Sequence, residues 1–161
     1  MGVVMEEYLF EAKEELKRIE HIIYVSLKYT RTVDVIIGAL NRMVSAYDLI
    51  IEAYLEKARR ETKIESLPKS PALRANKLAE MYKHDENMLR YLNFYTFLKT
   101  ILKNPQNKRE EYRRHVTLIV GLECSTAEVS IDTLTNCEKF MHSFYEHARD
   151  ELIGKPDEDD L

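Results

Sequence analysis

The chain has 161 residues and a mass of 19.0 kDa, with 45% hydrophobic and 32% charged residues, enough for one soluble domain with a sizeable core. Its net charge of −4 argues against broad binding along a polyanion but leaves room for a local basic site. No apolar run approaches the roughly 18–20 residues of a membrane span, and the N-terminus lacks the basic and apolar regions of a secretory signal. Glu6 stands where a myristoylation motif wants Ser or Thr. Cys124 and Cys137 form no Cys-x-x-Cys pair and read as free thiols of a reducing compartment. The expected location is the cytoplasm, and no cofactor is expected.

In chain order, Met5, Leu9, Ala12, Leu16, Ile19 and Ile23 form the stripe of a first helix from about Val4 to Lys28. Thr30 to Thr32 is a break, with Thr32 placed to cap the next helix. Val33, Ile37, Leu40, Val44, Tyr47, Ile51, Tyr54 and Ala58 then recur at alternating spacings of four and three. Ile36, Met43 and Ile50 widen that stripe. A helix puts all of these on one face, whereas a strand with its period of two would not. This second helix runs to about Glu61, and the short connection makes the pair antiparallel neighbours. The stripe is wide for one bundle face, so a homodimer interface is expected to use the excess.

Lys63 to Pro71 reads as a linker, with Ser70 as N-cap and Pro71 at the first helical position. The third helix carries a kink near His84-Asp85 and ends before Pro105. Arg109 to Glu123 is read as helix, although the β-branched run from Val116 to Leu122 also suits a strand. Ser125-Thr-Ala-Glu128 fits a capping box for a last helix. That helix turns Leu134, Cys137, Met141, Phe144 and Ala148 inward and is stopped by Gly154 and Pro156. The expected architecture is all-α, a four- to five-helix, mostly up-down bundle over residues 1–154, followed by a disordered acidic tail over 155–161.

One basic cluster interrupts the acidic chain: Lys99, Lys103, Lys108, Arg109, Arg113, Arg114 and His115, with Tyr91, Tyr95 and Tyr112 nearby. Cations interleaved with aromatics can hold phosphates and stack bases, which makes Lys108, Arg109, Arg113 and Arg114 candidates for binding RNA or a nucleotide. A solvated helix start with paired charges is the simpler reading. Arg109 and His115 could also serve metal-independent phosphodiester cleavage. The His would move a proton and the Arg would stabilise charge on the phosphoryl group.

The helical pair, the polar connection and the Arg109-x5-His115 spacing resemble the HEPN superfamily of small helical bundles, over roughly residues 5–153. Many of its members are dimeric ribonucleases with an Arg-x4-6-His motif at the interface. The resemblance implies that role for Arg109 and His115. Glu110 departs from the small polar residue frequent after the motif Arg, and Thr117 from the Tyr found two places after the His in the toxin subgroup.

Glu138, His142 and Glu146 share a helix face but lack the Glu-x-x-His pattern of di-iron bundles, so they read as a polar row and no metal site is expected. Three function classes follow. The leading one is a helical module that self-associates or binds a partner protein. The alternatives are a HEPN-type ribonuclease and an RNA or nucleotide binder without chemistry.

Overall fold

A computed structural model describes residues 3–155. Within them the chain is mostly helical, but it carries a small antiparallel sheet, which corrects the all-α expectation. Helix α1 spans Val3–His21 and continues through a π turn, Ile22–Ser26, into a last turn, Leu27–Tyr29. Helix α2 spans Val33–Arg60, α3 Pro71–Met81 and α4 Glu86–Lys103. Strands β1 (Gln106–Arg109), β2 (Thr117–Gly121) and β3 (Thr126–Val129) precede α5 (Ile131–Leu152).

Local chemistry sets most of these boundaries. The Thr32 hydroxyl accepts from Val35 N, satisfying a free amide at the start of α2. Asp34 lies in the first turn of α2 and Lys57, Arg59 and Arg60 in its last, each complementing the helix dipole. Ser70 caps α3 with Pro71 behind it, as the sequence indicates. The expected kink at His84-Asp85 is a full break, where the Asp85 carboxylate accepts from Met88 N at 3.1 Å and starts a new helix. At the far end, Gly154 takes φ +112° while its N–H bonds the Arg149 carbonyl. Only glycine adopts that conformation without strain, and α5 stops there. Pro156 and the acidic tail lie outside the described residues.

Helix α2 is the centre of the packing. Helices α1, α3, α4 and α5 all lie against it. Ile36, Ala39, Leu40, Met43, Tyr47, Ile50 and Ile51 are buried by these neighbours. The width of the α2 stripe is therefore taken up within the chain, because four helices lie against α2. Phe144 of α5 is the hub of an aromatic cluster, 5.0 Å from the Tyr47 ring and 4.7 Å from the Tyr91 ring. The Tyr47 hydroxyl is buried with no hydrogen-bond partner among the described residues. An unpaired buried hydroxyl costs about 1–3 kcal/mol. Tyr47→Phe is accordingly expected to leave stability unchanged or raise it by about 1 kcal/mol, read from the urea midpoint at constant slope. A loss above that size would mean that the hydroxyl is paired.

The sheet has order β1-β2-β3. Leu118, Val120 and Val129 point to its buried face, and β2 packs on α2. Arg109 pairs with Thr117, and Leu118 with Val129. The alternation of a strand therefore places Arg109, Thr117 and Glu128 together on the opposite face. The expected helix over Arg109–Glu123 is thus replaced by two strands and a loop. Glu110 and Tyr112 take left-handed φ values of 56° and 65°, which no helix tolerates. Tertiary bonds hold them so: Tyr112 N–H donates to the Arg31 carbonyl at 2.7 Å, and Val33 N–H donates to the Glu111 carboxylate at 3.0 Å. The capping box at Ser125–Glu128 is also corrected, because that segment is β3. The cap of α5 is Ser130, whose hydroxyl accepts from Thr133 N at 3.2 Å.

Candidate functional site

The outer face of the sheet, the π turn of the first helix and the start of α5 enclose a cavity of about 640 Å³. Each wall has a local cause. Ile22–Ser26 winds as a π turn, a rare geometry that often re-aims side chains at functional sites. It is followed by the short break that carries Arg31. The β1–β2 loop is pinned to that break through Tyr112 and Glu111. The pinned loop puts Glu110, Arg114 and His115 on the lining, beside Arg109 from β1. Ser130, Ile131, Asp132 and Thr133 bring the N-terminal end of α5, with its partial positive charge, to the opposite wall.

Of the sequence candidates, Arg109, Arg114 and His115 share this lining, and Lys108 and Arg113 do not. Lys108 alternates to the other side of β1, where its ammonium lies 3.5 Å from Glu111. Lys99 lies over the Tyr95 ring, 5.1 Å from its centroid, rather than at the cavity. The residues missed from sequence are Lys28 and Arg31, together with Tyr24. A signal for two of them was present: Lys28-Tyr-Thr-Arg31 puts two cations at a helix break, where side chains are free to converge on a site.

The lining holds four permanent cations, Lys28, Arg31, Arg109 and Arg114, against three acids, Glu110, Glu128 and Asp132. One of those cations is already matched. The Arg109 guanidinium donates two parallel bonds to Glu128, at 2.9 and 3.1 Å. This bidentate geometry fits a planar guanidinium to a carboxylate. The pairing lowers the Glu128 carboxyl below its ordinary value and raises Arg109, chiefly through those hydrogen bonds. Glu128 is therefore ionised near neutrality, and what the pair contributes is lost as pH falls through that depressed value. Lys28, Arg31 and Arg114 remain as cations to meet an anion. Glu128→Gln is expected to free Arg109, remove one acid from the lining and tighten binding of a phosphorylated ligand by about 3–10-fold, the size of a partly screened charge effect. Calorimetric titration checks this, and weaker binding by the variant would contradict it.

Chemically, three cations, a helix N-terminus and one imidazole can hold a phosphoryl group. Ile23, Leu27 and Ile131 add an apolar surface for the rest of a ligand. Comparison with family models, with curated proteins and with solved structures finds no match for this chain. Among the described residues no helix is long and apolar enough to cross a membrane.

Proposed function

We propose that the protein binds a nucleotide-sized phosphorylated ligand in this cavity and does not cleave it. The observation that carries the reading is the convergence of Lys28, Arg31 and Arg114 on one lining from segments about 80 residues apart in the chain. Its volume of about 640 Å³ falls within the roughly 300–1,000 Å³ of small-molecule sites. The exposed Tyr24 offers a ring face for a base, and Arg31 and Arg114 offer forks for the phosphate. The net charge of −4 also favours a compact anion over an extended polyanion.

A second reading, the HEPN-type metal-independent ribonuclease, is favoured by one observation: Arg109 and His115 line the same cavity. Against it, the end of the Arg109 guanidinium that would grip a phosphate in a bidentate pair is taken by Glu128. Self-association and capture of a partner protein have less support, since the wide stripe of α2 is covered by the chain's own helices. Cytoplasmic residence accords with the two free thiols, Cys124 and Cys137.

The test has two arms on one preparation. Binding of a fluorescent nucleoside monophosphate is followed by anisotropy at rising salt. Cleavage of a mixed oligoribonucleotide is followed in EDTA. Salt-sensitive binding without cleavage is the expected result. Cleavage lost in both Arg109→Ala and His115→Ala would establish the ribonuclease instead, and no binding of either ligand would return the search to partner proteins.

A further inference from the structure

Helices α1 and α5 meet along a seam in which one imidazole nitrogen stands between two carboxylates. His142 Nε2 lies 2.5 Å from Glu20 Oε1 and 2.8 Å from Glu138 Oε1. Glu138 and His142 are one turn apart on α5, while Glu20 comes from the last turns of α1. The donor atoms all lie within 4.8 Å of one another. Glu138 is only 4% exposed, and Tyr24 of the π turn lies close to it. The polar row expected from Glu138, His142 and Glu146 is thus resolved differently, with Glu20 from another helix in place of Glu146.

The triad is poorly served by protons alone. A ring nitrogen carries at most one hydrogen, so Nε2 donates fully to only one of the two carboxylates facing it. The second carboxylate then stands beside a like charge with no hydrogen from that ring nitrogen. A dication would accept a lone pair from all three groups and offset both carboxylates at once.

We infer that Glu20, Glu138 and His142 form a binding site for a borderline divalent transition-metal ion, with zinc as its best-fitting member. Imidazole nitrogen favours zinc and its neighbours over magnesium or calcium, which prefer all-oxygen sets. Donors around tetrahedral zinc stand about 3.4 Å apart at bond lengths near 2.1 Å. The present spacings of 2.5 and 2.8 Å must therefore widen by about 0.6–0.9 Å, which movement of the Glu20 and His142 side chains, 40% and 37% exposed, allows. Three protein ligands leave a coordination position open on the exposed side, the pattern of catalytic rather than structural zinc. Tyr24 also lines the cationic cavity, so the two sites adjoin. The metal assignment does not rest on what that cavity binds.

The test is calorimetric titration of Zn²⁺, and separately Mg²⁺, into the EDTA-treated and dialysed full chain. One Zn²⁺ per chain is expected, with Mg²⁺ bound at least about 100-fold more weakly. Glu20→Gln and His142→Gln are each expected to weaken Zn²⁺ by at least about 10-fold. Both residues are partly exposed, so these variants should melt cooperatively without metal. Absence of Zn²⁺ binding by the wild-type chain would overturn the assignment and leave the triad as a His–carboxylate clamp. Binding that survives both variants but is lost in Cys124→Ser or Cys137→Ser would overturn it equally.

Discussion

Replacing Arg31 and Arg114 together by alanine is expected to weaken binding of a nucleoside monophosphate by about 100-fold or more, with the melting temperature little changed. Each guanidinium can make charge-assisted hydrogen bonds to a phosphate, worth about 1.5–3 kcal/mol apiece. These are the two Arg side chains of the lining other than Arg109, which is held by Glu128. The substitution spares the scaffold. The tether from the break to the β1–β2 loop uses the Arg31 backbone carbonyl, which alanine keeps. Lys108→Ala and Arg113→Ala are the controls, since both residues lie outside the lining. They should change affinity by less than about 3-fold, the reach of a screened surface charge. Equal losses in controls and double variant would point to diffuse electrostatics rather than a pocket.

The largest effect on stability is expected at Phe144. Its ring is fully buried where α2, α4 and α5 meet, against Tyr47, Tyr54 and Tyr91. Truncation to alanine opens a cavity bounded by rings that cannot easily collapse into it. The cost should be about 3–5 kcal/mol, or a fall of roughly 10 °C in melting temperature for a domain of this size. Phe144→Leu keeps much of the volume and should cost less than half as much. Phe10→Ala, at an apolar residue that is 60% exposed, should stay within about 0.5 kcal/mol. A Phe144→Ala variant as stable as Phe10→Ala would mean that the aromatic cluster is not the packing hub.

What was legible in the sequence follows the range of the forces involved. The stripe of α2 and the caps Thr32 and Ser70 depend on residues within one or two turns, and they stand as read. The segment Arg109–His115 does not obey its local propensity. Arg and Glu favour helix, yet Tyr112 and Glu111 find partners at Arg31 and Val33, far back in the chain, and two left-handed residues result. Ser125 and Glu128 have cap spacing, but Glu128 pairs across the sheet with Ile119 and its side chain is taken by Arg109. Ser130, five residues later, has the free hydroxyl and the helix to cap. The site shows the same division. Arg109, Arg114 and His115 were visible as a charge cluster, whereas their meeting with Lys28 and Arg31 depends on the fold. The partnership of Glu20 with His142 spans the length of the domain and leaves no periodic trace.

The most direct measurement is a titration of a nucleoside monophosphate into ¹⁵N-labelled protein, followed by amide chemical shifts, with the unphosphorylated nucleoside as comparison. The account predicts saturable shifts concentrated at residues 27–31, 109–117 and 130–133, and far weaker ones from the nucleoside. Shifts centred elsewhere, or equal responses to the two ligands, would contradict a phosphate-reading pocket at the outer face of the sheet.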